Sequence, residues 1–217
     1  MMEDAELQSV CRTVRRLVDK YKLTVYDGRR GLVRHVMARK GFATGEILCA
    51  IVTTDGKFDC AAELAEELAK RIPAVKSVSR IINDTKTPLW MGGEEYVLYG
   101  KGYITDELCG CSFEVSAKSF YQINPIQTEK LYNTAVEMAE ITEKSRIVDA
   151  YCGIGTVGII AAKKKNCTLV GFDISEDSVK NAEANSKLNG IERAEFLCAA
   201  DSSYVLKKDK TPDVLFV

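Results

Sequence analysis

The chain has 217 residues, 46% of them hydrophobic and 28% charged, with a formal net charge of −1. That length and composition suit one large folded domain or two small ones and exclude a disordered tail. No apolar run approaches the length of a membrane-spanning helix, and the acidic start M-M-E-D-A-E is unlike a signal peptide, so the chain reads as cytoplasmic with no membrane partner.

In chain order, Leu7, Val10, Val14, Leu17, Val18 and Tyr21 recur at helical spacing and predict an amphipathic helix over residues 4–21, with Arg12, Arg15 and Arg16 on other faces. Segments 31–40 and 46–53 are dense in Val, Ile, Leu and Met and flank G-F-A-T-G, which predicts two strands joined by a short loop. Residues 59–71 read as a helix capped by Asp59 and stopped by Pro73, with Glu63, Glu66 and Glu67 ahead of Lys70 and Arg71. Strands are expected at 75–82, 96–99, 102–105 and 112–116, completing an antiparallel sheet with 84–94 as a loop. This first half reads as an α+β unit.

Its charge is lopsided, because ten Lys and Arg lie between Arg12 and Lys40 against only Asp19 and Asp27. Such a segment is either a solvated basic surface or a contact to nucleic acid, and charge alone does not decide between them. His35, the single histidine, sits mid-strand among arginines, where a surface contact near phosphates suits it better than proton transfer. Trp90 in the loop reads as a packing anchor more readily than as a base-stacking platform.

The second half changes rhythm. A helix starts at Asn124-Pro125, a capping side chain followed by a first-turn proline. Strand 146–150, a helix near Thr156, strand 168–172, helix 176–188, strand 195–198 and strand 213–217 then alternate as in a doubly wound parallel sheet. The division between the halves is placed near Ser116, giving domains 1–116 and 117–217. Eight cysteines without a C-x-x-C pair sit mostly in apolar runs as small hydrophobes, so neither a disulfide framework nor a metal site is expected.

V-D-A-Y-C-G-I-G-T-V-G at 148–158 contains G-x-G-x-x-G after a strand and before a helix, the place where backbone N–H groups meet a nucleotide-like ligand. A tight turn with no ligand is the plain alternative. A dinucleotide site wants its first glycine at the end of the strand, whereas here Asp149 ends the strand and Gly153 follows four positions later. A carboxylate repels a diphosphate but suits a sulfonium, an ammonium or a ribose, so the order D-x-x-x-G-x-G favours S-adenosylmethionine. Asp173 ends the next strand, twenty residues after Gly153, where either ligand class would place a ribose. Cys152 lies inside the loop without a neighbouring base and reads as packing.

Taken together, S-F-Y-Q-I-N-P at 119–125, the 148–158 loop and P-D-V-L-F-V at 212–217 resemble the RNA (uracil-5-)-methyltransferase family of ribosomal and transfer RNA enzymes. The likeness covers roughly residues 25–217, with R-H-V-M-A-R-K at 34–40 similar to the family's central RNA-facing domain. It implies an α/β fold in which an N-terminal α+β domain precedes a partial class I, Rossmann-like S-adenosylmethionine-dependent methyltransferase domain. By that resemblance Gln122, Tyr151 and Asp173 hold the cofactor, beside Asp149, Gly153 and Gly155, which the loop's own D-x-x-x-G-x-G order assigns. Asp201 is a further candidate near the adenine, one step later than usual. The implied mechanism adds a cysteine thiolate to carbon 6 of a flipped uracil, methylates carbon 5 and removes its proton with a carboxylate.

The family's nucleophile and general base come after the strand that ends at Val217, and none of the eight cysteines here matches the nucleophile. The chain is therefore expected to be a catalytically inactive fragment, with no catalytic residue assigned, whose exposed sheet edge leads to edge pairing, self-association or a disordered terminus. C-G-C at 109–111 has too few partners for the iron–sulfur centre some relatives carry. Three rival readings remain at this stage: a methyltransferase of another class, an NAD-dependent oxidoreductase, and a non-catalytic RNA-binding module.

Overall fold

The computed structural model describes residues 4–85, 92–199 and 211–217. They divide into two compact units, residues 4–85 and 92–104 with 116–118, and residues 105–115 with 119–199 and 211–217.

In the first unit Asp4 starts helix α1 (Ala5–Lys20), its carboxylate accepting from the amides of Glu6 at 2.8 Å and Leu7 at 3.2 Å. The apolar stripe foreseen for this helix is the face it buries, Val10, Val14, Leu17 and Val18. Strands β1 (Val33–Lys40), β2 (Ile47–Thr53), β3 (Val75–Ile82) and β4 (Glu94–Tyr99) lie in the order β1-β2-β3-β4. All seven residues of β2 are buried, as a central strand's near-continuous apolar run implies. Helix α2 (Ala61–Arg71) shares a core with α1, β1, β2 and β3 through Leu64, Ala65 and Leu68. Glu67 ties the two helices together, accepting from Lys20 Nζ at 2.6 Å and the Tyr21 hydroxyl at 2.8 Å as well as from Arg71 of its own helix.

Three local expectations are corrected. The pair β2–β3 is parallel, because α2 between them returns the chain to the end where β2 began. The last two strands leave that sheet and form a separate hairpin, β5 (Tyr103–Leu108) and β6 (Cys111–Ser116). Cys109 and Gly110 make its two-residue turn with φ of 52° and 75°, the left-handed pair that matches the twist of a tight hairpin. Asp59 does not cap α2; Cys60 holds that position without a side-chain bond, and the Ala61 amide donates to the Phe58 carbonyl.

The second unit opens on helix α3 (Pro125–Met138), capped by Asn124, whose Oδ1 accepts from the Gln127 amide at 3.1 Å. Strand β7 (Arg146–Ala150), helix α4 (Thr156–Lys165), strand β8 (Thr168–Asp173), helix α5 (Glu176–Leu188), strand β9 (Ala194–Cys198) and strand β10 (Val214–Phe216) follow. The four strands are parallel in the order β10-β7-β8-β9, so the expected β-α-β succession holds. From β7 the chain runs outward to β8 and β9, then returns to β10 on the other side. A parallel sheet opens a crevice for ligands where its order reverses, outside the carboxyl end of β7. Residues 105–115 of the hairpin, placed before the Ser116 division on sequence grounds, group with this unit, because Asn185 of α5 and Asn189, the cap at that helix's end, bond the edge of β6. No described helix is long and apolar enough to cross a membrane.

Ile51 is fully buried in the shared core of the first unit. Ile51→Ala is expected to lower unfolding free energy by about 2–5 kcal/mol, read from the denaturant midpoint at constant slope. A loss below about 0.5 kcal/mol would show that this strand does not carry the core.

Candidate functional site

The glycine loop leaves β7 and becomes α4 within five residues, a change of direction that ordinary backbone does not make. Tyr151, Gly153 and Gly155 all take left-handed conformations, with φ of 56°, 56° and 82°. Gly155 is the first cap of α4 and supplies no side-chain bond to it, so the early amides of this helix need partners from elsewhere.

One partner is Asp149, the penultimate residue of β7. Its side chain is only 5% exposed, and Oδ2 accepts from the Gly158 amide at 2.9 Å. The carboxylate therefore lies beneath the loop and holds the first turn of α4 against the strand. Gly158 has no room for more: a Cβ there would stand 2.6 Å from Leu169 Cδ1 and 2.8 Å from Asp149 Oδ2. The third glycine is required by close packing of helix on sheet. Burial lifts the Asp149 carboxyl from its ordinary 3.8 to about 7; the Gly158 amide opposes that rise and the nearby charge of Asp173 adds to it.

Asp173 takes an amide of the loop ahead of that helix. At the end of β8, its Oδ2 accepts from the Gly153 amide at 2.9 Å and its Oδ1 from the Ser175 amide at 2.9 Å. The carboxyl groups of Asp173 and Asp149 thus take the amides of the first and third glycines. The Cys152 amide closes the loop onto β8 by donating to the Phe172 carbonyl at 3.0 Å. The thiol of Cys152 is buried, and that burial pushes its pKa up, away from a nucleophile's range.

Tyr151 stands outward, 66% exposed, with its ring edge-on to Phe172 at 5.8 Å between centroids. Gln122 is half-buried on the stretch leading into α3. That helix is tied to the loop through Tyr132, whose hydroxyl lies 3.4 Å from that of Thr156, the first residue of α4. The structure thus brings Asp149, Tyr151, Gly153, Gly155 and Asp173 together around one loop. Among the described residues no hydrogen bond links Gln122 to it. Asp201 and Trp90 lie outside the described residues, and among those described no group of three His, Cys, Asp or Glu is placed to hold a metal.

Sequence reasoning overlooked Asn185 of α5. Its Nδ2 donates to the Ile154 carbonyl at 3.2 Å, in the middle of the loop. The signal present in the sequence was a pair of asparagines, 185 and 189, four apart on the buried face of a helix where apolar residues belong.

Residues 141–216 match the family described as "Methyltransferase domain". The chain is 38% identical over 190 residues to an uncharacterized RNA methyltransferase of Caldanaerobacter subterraneus, covering 87% of this chain and 42% of that protein. It is 34% identical over 222 residues to one from Oceanobacillus iheyensis, covering 100% of this chain and 48% of that protein. A solved structure of Pyrococcus abyssi tRNA (uracil-54, C5)-methyltransferase in complex with S-adenosyl-L-homocysteine superposes with a TM-score of 0.77 at 26% identity, over 95% of this chain and 49% of that one. The chain spans about half the length of the curated relatives it matches. The resemblance to RNA methyltransferases drawn from the motifs therefore holds, as does the α/β fold with a Rossmann-like methyltransferase sheet.

Asp149 gives the loop a measurable pH dependence. Between its ordinary 3.8 and about 7 the folded chain keeps a proton that the unfolded chain releases. Its contribution is complete below that window and is lost as pH rises through it. Asp149→Asn keeps an acceptor for Gly158 and removes the titration, so the unfolding midpoint should decline less between about pH 4 and 7 than in the wild type. Parallel pH profiles for the two proteins would rule out the buried, protonated carboxyl.

Proposed function

We propose that this chain, a homologue of proteins named RNA methyltransferases, forms the S-adenosylmethionine seat and part of the RNA-facing surface of an enzyme that methylates uridine at carbon 5 in ribosomal or transfer RNA. One observation carries the reading: the carboxylate of Asp173, at the end of the second strand, is turned onto the first glycine of the loop. Each of its oxygens accepts one backbone bond and keeps a lone pair, which suits the two hydroxyls of a ribose. The exposed ring of Tyr151 offers an apolar surface to an adenine. The amide of Gln122 can both donate to and accept from the cofactor's amino-acid end. Asp149 acts through the loop it holds.

When bound, the cofactor supplies a methyl group on a cationic sulfur. The carboxylate of Asp173 beside the loop lowers the potential there, which favours that cation and disfavours a diphosphate, while Asp149, protonated up to about pH 7, adds its charge only above that. In the first unit, Arg12, Arg15 and Arg16 are exposed on α1 while its apolar stripe is buried, a basic face suited to RNA phosphates. The uridine carbon 5 acceptor rests on the motif resemblance and on the activity named for the Pyrococcus abyssi enzyme.

Calorimetric titration with S-adenosylhomocysteine and separately with NAD tests the cofactor. S-adenosylhomocysteine is expected to bind, and Asp173→Ala to weaken it about tenfold or more, the loss that follows removal of a charged hydrogen-bonding partner. Saturation by NAD alone would replace this reading with a dinucleotide one. The acceptor is tested by comparing RNA from cells with and without the gene: 5-methyluridine should disappear from a ribosomal or transfer RNA position. Unchanged 5-methyluridine with loss of a methylated amine would point to another class of methyltransferase.

A further inference from the structure

The hairpin β5–β6 has two edges, and strand pairing satisfies only the inner one. On the outer edge of β6 the polar groups of Ser112 and Glu114 meet the side chains of Asn189 and Asn185. The Ser112 amide donates to Asn189 Oδ1 at 3.0 Å, and Asn189 Nδ2 donates to the Ser112 carbonyl at 2.7 Å. One helical turn earlier the pattern repeats: the Glu114 amide donates to Asn185 Oδ1 at 2.7 Å, and Asn185 Nδ2 donates to the Glu114 carbonyl at 3.3 Å. A carboxamide carries the same donor and acceptor as a peptide unit. Asparagines four apart on a helix therefore present two such units to alternate residues of a strand, in place of a neighbouring strand.

The two asparagines differ in what they do next. Asn189 spends its second donor on the Asn185 carbonyl, 2.8 Å away in its own helix. Asn185, whose side chain is 0% exposed, reaches the Ile154 carbonyl instead. Ile154 lies between the left-handed Gly153 and Gly155, so its carbonyl direction is set by the turn that defines the loop.

We propose that Asn185 is a positioning residue for the glycine loop, through which docking of the β5–β6 hairpin on α5 sets the conformation of the cofactor seat. The inference rests on the reading of that loop as the seat of S-adenosylmethionine. Only a short carboxamide meets the requirement. Aspartate keeps the acceptor for Glu114 but offers no donor when ionised, leucine matches the shape and offers neither group, and glutamine carries an extra methylene in a fully buried space. Asp149 and Asp173 take loop amides, and Asn185 supplies the donor that takes a loop carbonyl. A hairpin assigned by sequence to the first half thereby becomes part of the second unit's site.

Asn189→Asp is the matched control, because it changes the same chemical group on the same helix against the same strand without touching the loop. Hydrogen exchange read by mass spectrometry on the full chain decides between positioning and mere support. Asn185→Asp should speed exchange of peptide 150–160 about tenfold, the effect of leaving one buried hydrogen bond unmade, and should also loosen 103–116. Asn189→Asp should loosen 103–116 and leave 150–160 at the wild-type rate. If Asn185→Asp fails to fold, Asn185→Ser, which buries no charge and cannot reach both partners, is measured in its place with the same expected pattern. Loosening of 103–116 alone by the Asn185 variants, or equal loosening of 150–160 by the Asn189 variant, would overturn the proposal. S-adenosylhomocysteine affinity should fall about tenfold in the Asn185 variants and change less than twofold in Asn189→Asp. A wild type that does not bind S-adenosylhomocysteine would reject the cofactor reading, while the exchange pattern still decides the coupling.

Discussion

The second unit is organised by a backbone problem. A parallel strand that turns into a helix within five residues leaves amides and carbonyls that neither element can pair, and burying them unpaired costs about as much as losing the bonds outright. Side chains from three other places solve it. Asp149 from the strand takes the Gly158 amide, Asp173 from the next strand takes the Gly153 amide, and Asn185 from the second crossover helix gives to the Ile154 carbonyl. Strand, neighbouring strand and helix must therefore all be in register before the loop has one shape. The loop reports on the packing of the whole unit.

This arrangement explains why carboxyl groups sit where hydrophobic residues would pack more cheaply. A buried carboxyl with one amide partner is poorly compensated, and Asp149 responds by holding its proton up to about pH 7. Asp173 is only half-buried and has two amides. The two residues have the same chemistry and similar sequence settings, each closing a parallel strand. Burial separates their work: one belongs to the scaffold of the loop, and the other keeps lone pairs at the crevice.

Much of this was legible in the sequence because it is local. Gly153, Gly155 and Gly158 between an apolar strand and a helix, the acidic ends of both strands, and Asn124 before Pro125 each declare themselves within a few residues. The first helix was equally plain, since its apolar stripe is the face it buries. What the sequence hid is non-local. The parallel pairing of β2 with β3 depends on where α2 returns the chain, and alternation of apolar residues reads the same for either direction. The hairpin's membership of the second unit depends on bonds spanning 71 and 77 residues, visible beforehand only as two asparagines where a helix should have been apolar. Asp59 failed as a cap because the turn from Phe58 shifts the helix start by one residue, a difference below what capping preference resolves.

The letters G-x-G-x-x-G do not distinguish a diphosphate cradle from a sulfonium site, because both use the same turn and the same helix start. The space behind the turn does. Here the position behind the third glycine is filled by a carboxylate, and a second carboxylate stands against the first glycine. A diphosphate over this loop would face the charge of Asp173, joined by that of Asp149 only above about pH 7, and would have to compete with both groups for the loop amides. A ribose and a cation face neither penalty: the ribose donates to the outer carboxylate, and the cation is drawn by that carboxylate's charge. The discrimination lies in residues that close the strands, four positions before the first glycine and twenty after it, so the motif acquires its meaning only when those two ends are read with it.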